Sequence, residues 1–232
     1  MAATFLTARW VNLCLYSYAV PRELLEPLIP GDIELDIRDG EAWASLVAFD
    51  FLDTRVKGIR WPGHVNFPEL NLRFYVRHNN ERGVMFVREY VPRRAIATTA
   101  RLLYNEPYAC APMGSTTTRT DDTLTVDYTL KRAGRTHRIG AVADATPITP
   151  DTESVEHWFK EHSRGYGVTR RGRTLAYTVT HPTWAIHPIR ETTIDLDWAT
   201  LYGPDWACMN NKQPASTILA AGSEVTVSPA KK

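Results

Sequence analysis

From Phe67 to His78 the chain alternates apolar and polar residues. Leu70, Leu72, Phe74 and Val76 fall on one face, and Asn71, Arg73, Tyr75 and Arg77 on the other. Successive side chains of a strand point to opposite sides of the pleat, so this period of two predicts a β-strand rather than a helix. Asn79-Asn80-Glu81-Arg82-Gly83 follows as a predicted tight connection, with 84–91 as the antiparallel partner of a hairpin. The same pattern predicts strands at 6–18, 33–38, 42–55, 108–119, 123–131, 135–144, 173–181 and 216–228.

Helix signals are fewer. Pro21 opens a predicted helix over 21–29, with Gly31 beyond its end. A second runs from Arg94 to Asn105, with Ile96, Leu102 and Leu103 as its apolar stripe. A third starts at Thr149 as N-cap, with Pro150 next and Asp151 and Glu153 in the first turn. It carries Val155, Trp158 and Phe159 and ends near Gly165. Many strands with few helices predict an α+β protein, mainly antiparallel sheet, with helices as covers. No repeat, linker or low-complexity tract divides residues 1–232, so one domain is expected.

Composition removes several functions. The chain is 44% apolar with net charge +1, which excludes a disordered polyelectrolyte and argues against a general nucleic-acid binder. No run of 18 apolar residues predicts a membrane span, and Trp10–Val20 is too polar for a secretory core. Cys14, Cys110 and Cys208 are widely spaced and odd in number, so free thiols and a reducing cytoplasm are expected. The cations split into 21 Arg and six Lys, a bias that first reads as codon usage.

HExxH, GxGxxG, GxxxxGK[ST] and GxSxG motifs are all missing, and neither a metal nor a cofactor is expected. Glu153, His157 and Glu161 are spaced to share one helix face, read either as a metal site or as a solvated face. The polar face Asn71, Arg73, Tyr75 has two readings as well. It is the wet side of a sheet, or it faces a cavity where arginine grips a carboxylate and Asn and Tyr orient it. Arg88-Glu89 followed by Pro92-Arg93-Arg94 places charge at a strand end and a helix start. If buried, it must be paired or must bind an anion. His181-Pro182-Thr183-Trp184 is either a packed turn or a pocket wall carrying an acid–base histidine.

Four stretches carry a resemblance: Pro68–Val76, Arg82-Gly83-Val84, Ala100–Tyr108 and His181–Trp184. In them the chain resembles the DUF2071, or YqjF-like, family of the acetoacetate decarboxylase-like superfamily. The resemblance implies a large antiparallel sheet folded into a cone-like barrel, flanked by a few helices, with a central cavity. It thereby favours the cavity reading of Asn71, Arg73 and Tyr75. The decarboxylases follow an Arg-Glu element with Pro-Lys-Lys, where one lysine forms a Schiff base. Here that stretch reads Arg88-Glu89 and Pro92-Arg93-Arg94, and arginine cannot form the imine. Lys57, Lys131, Lys160 and Lys212 show no apolar surroundings that would make them substitutes.

The expectation is therefore a cavity for a small organic acid without imine chemistry. Arg73 and Arg94 grip the anion, Asn71 and Tyr75 orient it, Glu89 and His181 carry protons, and Trp184 forms a wall. A ligand-sensing protein without catalysis, and a decarboxylase acting without an imine, are the alternatives. The sequence leaves the oligomeric state open, with a homodimer as the commonest closed assembly.

Overall fold

A computed structural model describes residues 4–169 and 171–231. Its strands are β1 (Leu6–Val20), β2 (Glu34–Leu35), β3 (Ala42–Val56), β4 (Phe67–His78), β5 (Glu81–Val91), β6 (Tyr108–Cys110), β7 (Met113–Arg119), β8 (Thr123–Arg132), β9 (Arg135–Asp144), β10 (Arg164–Val168), β11 (Thr174–Thr180), β12 (Ile186–His187), β13 (Ile189–Asp195) and β14 (Ser216–Val227). The helices are α1 (Arg94–Leu103), α2 (Val155–Lys160) and α3 (Trp198–Tyr202). No helix among the described residues is long and apolar enough to cross a membrane.

The larger sheet runs β4-β3-β1-β14-β11-β10-β5, and β5 pairs with β4 again, so its strand order returns on itself. Most neighbours are antiparallel, whereas β5 pairs in parallel with β10 and β6. A second, four-stranded sheet has the order β13-β9-β8-β7. It packs on the outer face of the ring. Cys14, Tyr16, Leu46, Leu72 and Phe74 meet Val126, Tyr128, Ile139 and Ala141 there in one buried cluster. A separate cluster fills the inner face, with Leu15, Val47, Phe49, Phe51, Phe67 and Tyr75. The two faces of β4 therefore belong to different cores.

Local chemistry explains where the segments depart from expectation. The predicted 21–29 helix is two 3-10 turns, Arg22–Leu24 and Glu26–Leu28, because Pro27 has no N–H to continue a helix. The predicted 108–119 strand breaks at Pro112, and its halves join different sheets. The third helix starts not at Thr149 but at Ser154, whose hydroxyl accepts from His157 N at 3.2 Å. It ends at Lys160, so Glu153 and Glu161 lie outside it and the shared face with His157 does not form. The hairpin turn is tighter than expected. Asn79 and Asn80, both at positive φ, make a two-residue connection closed by the His78↔Glu81 pair. On α1 the Leu103 side chain lies outside the described residues, and Leu102 is 67% exposed. Strands β10, β12 and β13, and helix α3, had no expectation in the sequence reading.

Candidate functional site

All seven ring strands contribute residues to one cavity of about 460 Å³. On β4 the alternation carries Glu69, Asn71 and Arg73 into it. The polar face is thus the cavity face, and the wet-face reading fails. Tyr75 continues the same row, but it is buried under α2. Its hydroxyl donates to Phe159 O at 3.2 Å and hydrogen-bonds Ser45, and it does not line the cavity.

Three neighbouring strands do not keep a simple alternation. On β5, Val84 and Phe86 face the cavity, and so does Glu89. The change of parity comes from an extra residue, since Leu72 pairs with Arg88 and Arg73 with Phe86, which leaves Val87 as a bulge. A bulge re-aims every side chain beyond it. Glu89 therefore points inward, while Arg88 and Tyr90 point outward and both donate to Leu201 O. A bulge in β3 at Asp53 (φ 55°) turns Thr54 inward after Phe49 and Phe51. On β1, Asn12 (φ 57°) brings both Trp10 and Leu13 to the cavity.

The cavity has an acidic group of side chains. Asn71 sits opposite Glu89, and Glu89 lies beside Tyr108 on the next strand. Glu69 accepts from Asn71 Nδ2 at 3.0 Å and from Tyr108 OH at 2.9 Å. Glu106, just before β6, accepts from Tyr177 OH. Gly165 makes this last contact possible, because a Cβ there would lie 2.2 Å from the Tyr177 ring. Burial raises the Glu69 carboxyl to about 7, although its two hydrogen bonds pull the other way. Glu106 also rises to about 7, again mainly through burial. Burial lifts Glu89 well above the usual carboxylate range, and Glu106 and Glu69 add repulsion.

Basic and imidazole groups stand nearby. Arg73 Nη2 donates to Phe159 O at 2.8 Å. The Lys160 side chain is fully buried in the cavity wall and ion-paired with Glu161. The short α2 is held from outside by Arg82, which stacks on Trp158 at 4.3 Å and pairs with the buried Asp36 at 2.5 Å. His162 and His181 line the same region. Burial lowers both imidazoles below their ordinary value, with Arg73 adding to the effect. His181 stacks on Trp184 at 3.9 Å, and Trp184 donates to Ser223 Oγ at 2.8 Å.

Of the seven residues selected from sequence, Asn71, Arg73, Glu89, His181 and Trp184 converge on this cavity. Tyr75 supports it from beneath. Arg94 does not join them. It is exposed at the start of α1, whose Ala95, Ile96, Thr99 and Ala100 contribute to the lining instead. Arg93 is exposed as well, so neither arginine of that stretch replaces a lysine inside the cavity. Lys160 corrects the sequence reading in the opposite direction, being a buried lysine on the wall. Glu69, Glu106, Tyr108, Tyr177, Trp10 and Thr54 were missed. For Glu69 a signal existed, since it lies two residues before Asn71 on the same strand face.

Ten buried side-chain atoms among the described residues have no hydrogen-bond partner in the protein. Five of them belong to cavity residues: Trp10 Nε1, Thr54 Oγ1, Asn71 Oδ1, Arg73 Nε and Glu89 Oε2. Buried polar atoms are normally paired, and half of these unpaired ones collect on this one cavity.

The family model of DUF2071, an uncharacterized conserved protein family (COG2071), matches residues 7–224. The chain belongs to DUF2071. A curated relative is the uncharacterized protein YqjF of Bacillus subtilis (strain 168). It is 29% identical over 181 residues, covering 76% of this chain and 73% of YqjF. Among solved structures, an acetoacetate decarboxylase from Legionella pneumophila superposes with TM-score 0.65 at 16% identity, covering 99% of this chain and 87% of that one. The enduracididine biosynthesis enzyme MppR complexed with pyruvate gives TM-score 0.66 at 10% identity, covering 100% and 90%. This member of DUF2071 thus has an acetoacetate decarboxylase-like fold, mostly sheet with few helices.

Proposed function

We propose that this DUF2071 chain binds a small organic acid in the central cavity and that Glu89 presents a proton to it. The observation that carries the reading is the group of unpartnered atoms Asn71 Oδ1, Arg73 Nε and Glu89 Oε2 on neighbouring strands of one cavity. Arg73 supplies a fixed cation with a free N–H for a carboxylate. Asn71 Oδ1 accepts from a hydroxyl or from a protonated acid. Burial and the neighbouring carboxyls favour the protonated form of Glu89, which donates rather than repels. In this reading the ring of strands is a cone-like barrel whose interior is the binding space. MppR, of similar fold, binds the keto acid pyruvate.

Imine chemistry has no part in the proposal. Lys160 is the one buried lysine among the cavity residues, and its ammonium is held by Glu161. An amine engaged in an ion pair is not free to act as a nucleophile. Borohydride treatment with a keto acid is expected to leave Lys160 unmodified, and a trapped adduct on it would overturn this part. The binding itself is tested by calorimetry with simple carboxylates. Wild type is expected to bind, and Arg73→Met to lose at least about tenfold in affinity, as for loss of one charge-assisted contact. Equal affinity in the two proteins would sink the assignment of Arg73.

A ligand-sensing role without catalysis uses the same contacts and leaves Glu89 as a hydrogen-bond donor only. The buried acid group favours proton transfer, because a binding site alone has no need of three buried carboxyls whose pKa values are raised together.

A further inference from the structure

The polar row Glu69, Asn71, Arg73 occupies one part of the cavity. The rest of its lining is largely aromatic. Trp10, Phe49, Phe51 and Phe67 all face it. Their rings touch in series, with Trp10 to Phe49 at 5.1 Å, Phe49 to Phe51 at 5.1 Å and Phe51 to Phe67 at 4.7 Å. Trp10, Phe51 and Phe67 are neighbours across three strands, since Phe51 pairs with both of the others. Phe67 and Arg73 lie six positions apart on β4, about 20 Å along an extended strand. The cavity is therefore two-ended, with a charged, hydrogen-bonding end and an aromatic end.

The aromatic end is not purely apolar. Trp10 Nε1 and Thr54 Oγ1 are buried there, line the cavity and have no partner in the protein. Indole nitrogen is a donor only, and a hydroxyl is both donor and acceptor. Trp10 pairs with Phe51, and Thr54 follows three residues later on β3, whereas Arg73 pairs with Ser45, six residues before Phe51, so one small group does not reach both.

Size gives a second constraint. At about 30 Å³ for each water-sized group, the cavity's 460 Å³ accommodates about fifteen non-hydrogen atoms. A three- or four-carbon keto acid fills less than half of this and reaches only one end.

We infer that the ligand is an elongated acid: a carboxylate at Asn71, Arg73 and Glu89, a ring or chain along Phe49, Phe51 and Phe67, and a hydrogen-bonding oxygen at Trp10 and Thr54. This rests on the proposed acid-binding function and specifies the ligand class. Trp184 joins the two ends. It stacks on His181 and lies 6.3 Å from the Trp10 ring. The indole N–H selects for an acceptor at the far end, and the aromatic rings select against a second charge in the middle.

The test is calorimetry of the full chain with three probes: butanoate, phenylhexanoate and para-hydroxyphenylhexanoate. Phenylhexanoate is expected to bind at least about tenfold more tightly than butanoate, through the apolar area it buries. The hydroxyl is expected to add about fivefold, the worth of one net hydrogen bond. Trp10→Phe, which keeps a ring, is expected to erase the hydroxyl's gain, and Thr54→Val to reduce it. If all three probes bind equally, acid binding stands and the elongated ligand is overturned. A gain for the ring without one for the hydroxyl overturns the far-end contact. Binding of none overturns both this inference and the acid-binding function. The comparison among probes is made on wild type, so it survives a variant that fails to fold.

Discussion

The two faces of β4 differ in how completely their chemistry is finished inside the protein. On the outer face Leu70, Leu72, Phe74 and Val76 are almost fully buried and meet the second sheet in a continuous apolar core. On the inner face Glu69, Asn71 and Arg73 are also largely removed from solvent, yet Asn71 and Arg73 each keep an unpartnered atom. The outer face holds the fold together. The inner face carries a stability cost, because a buried polar atom without a partner loses its hydration uncompensated. Alternating residues of one strand thus perform opposite work, and substitutions should separate them.

The largest effect is expected on the outer face. Leu72→Ala should cost about 2–5 kcal/mol in chemical denaturation, the range for a leucine truncated inside a close-packed core. A loss under about 1 kcal/mol would mean that this core is loosely packed. Gly165→Ala should come next, at about 1–3 kcal/mol for overpacking. Its Cβ displaces Tyr177, so the variant should also shift the titration of Glu106, readable by carboxyl NMR.

A smaller effect is expected from pH. Glu69 and Glu106 titrate near 7 in the fold against 4.5 when free, so the folded state binds more protons between those values. Stability should fall as pH rises from about 4.5 through 7. Glu69→Gln and Glu106→Gln should each flatten that fall. His162 and His181, lowered in the fold, act in the opposite sense below 6.5, so the comparison is made between variants and wild type. An unchanged slope in both variants would show that these carboxyls titrate normally. The smallest effect belongs to Arg73→Met. Its stability should stay within about 1 kcal/mol of wild type, since an apolar stem replaces a partly unsatisfied cation. A loss as large as that of Leu72→Ala would erase the distinction between the two faces.

The contrast also explains what the sequence could reveal. The period-two run at 67–78 shows both faces of β4 directly, and with them Asn71 and Arg73. The family resemblance implied a cavity beside the polar face, and Asn71 and Arg73 line one. Positions beyond a bulge were hidden, because Trp10, Thr54 and Glu89 face inward only after a one-residue change of parity that alternation does not encode. Glu89 was found through its motif and not through its periodicity. Arg94 was misplaced because the pattern at a helix start does not say which side of α1 meets the sheet. Lys160 was dismissed as a residue within a helix expected to end near Gly165, whereas α2 ends at Lys160 and that residue is buried.

The bulge at Val87 has an evolutionary consequence. Deleting that one residue would leave Arg88 facing outward and Glu89 inward, because each keeps its present partner on β4, Leu72 and Asn71. The inward aim of Glu89 is set by its pairing and not by its count along the chain, so one residue can be lost or gained at Val87 without exchanging the group that faces the cavity. Length differences of one residue at this position among relatives are then expected to leave the chemistry of the cavity unchanged.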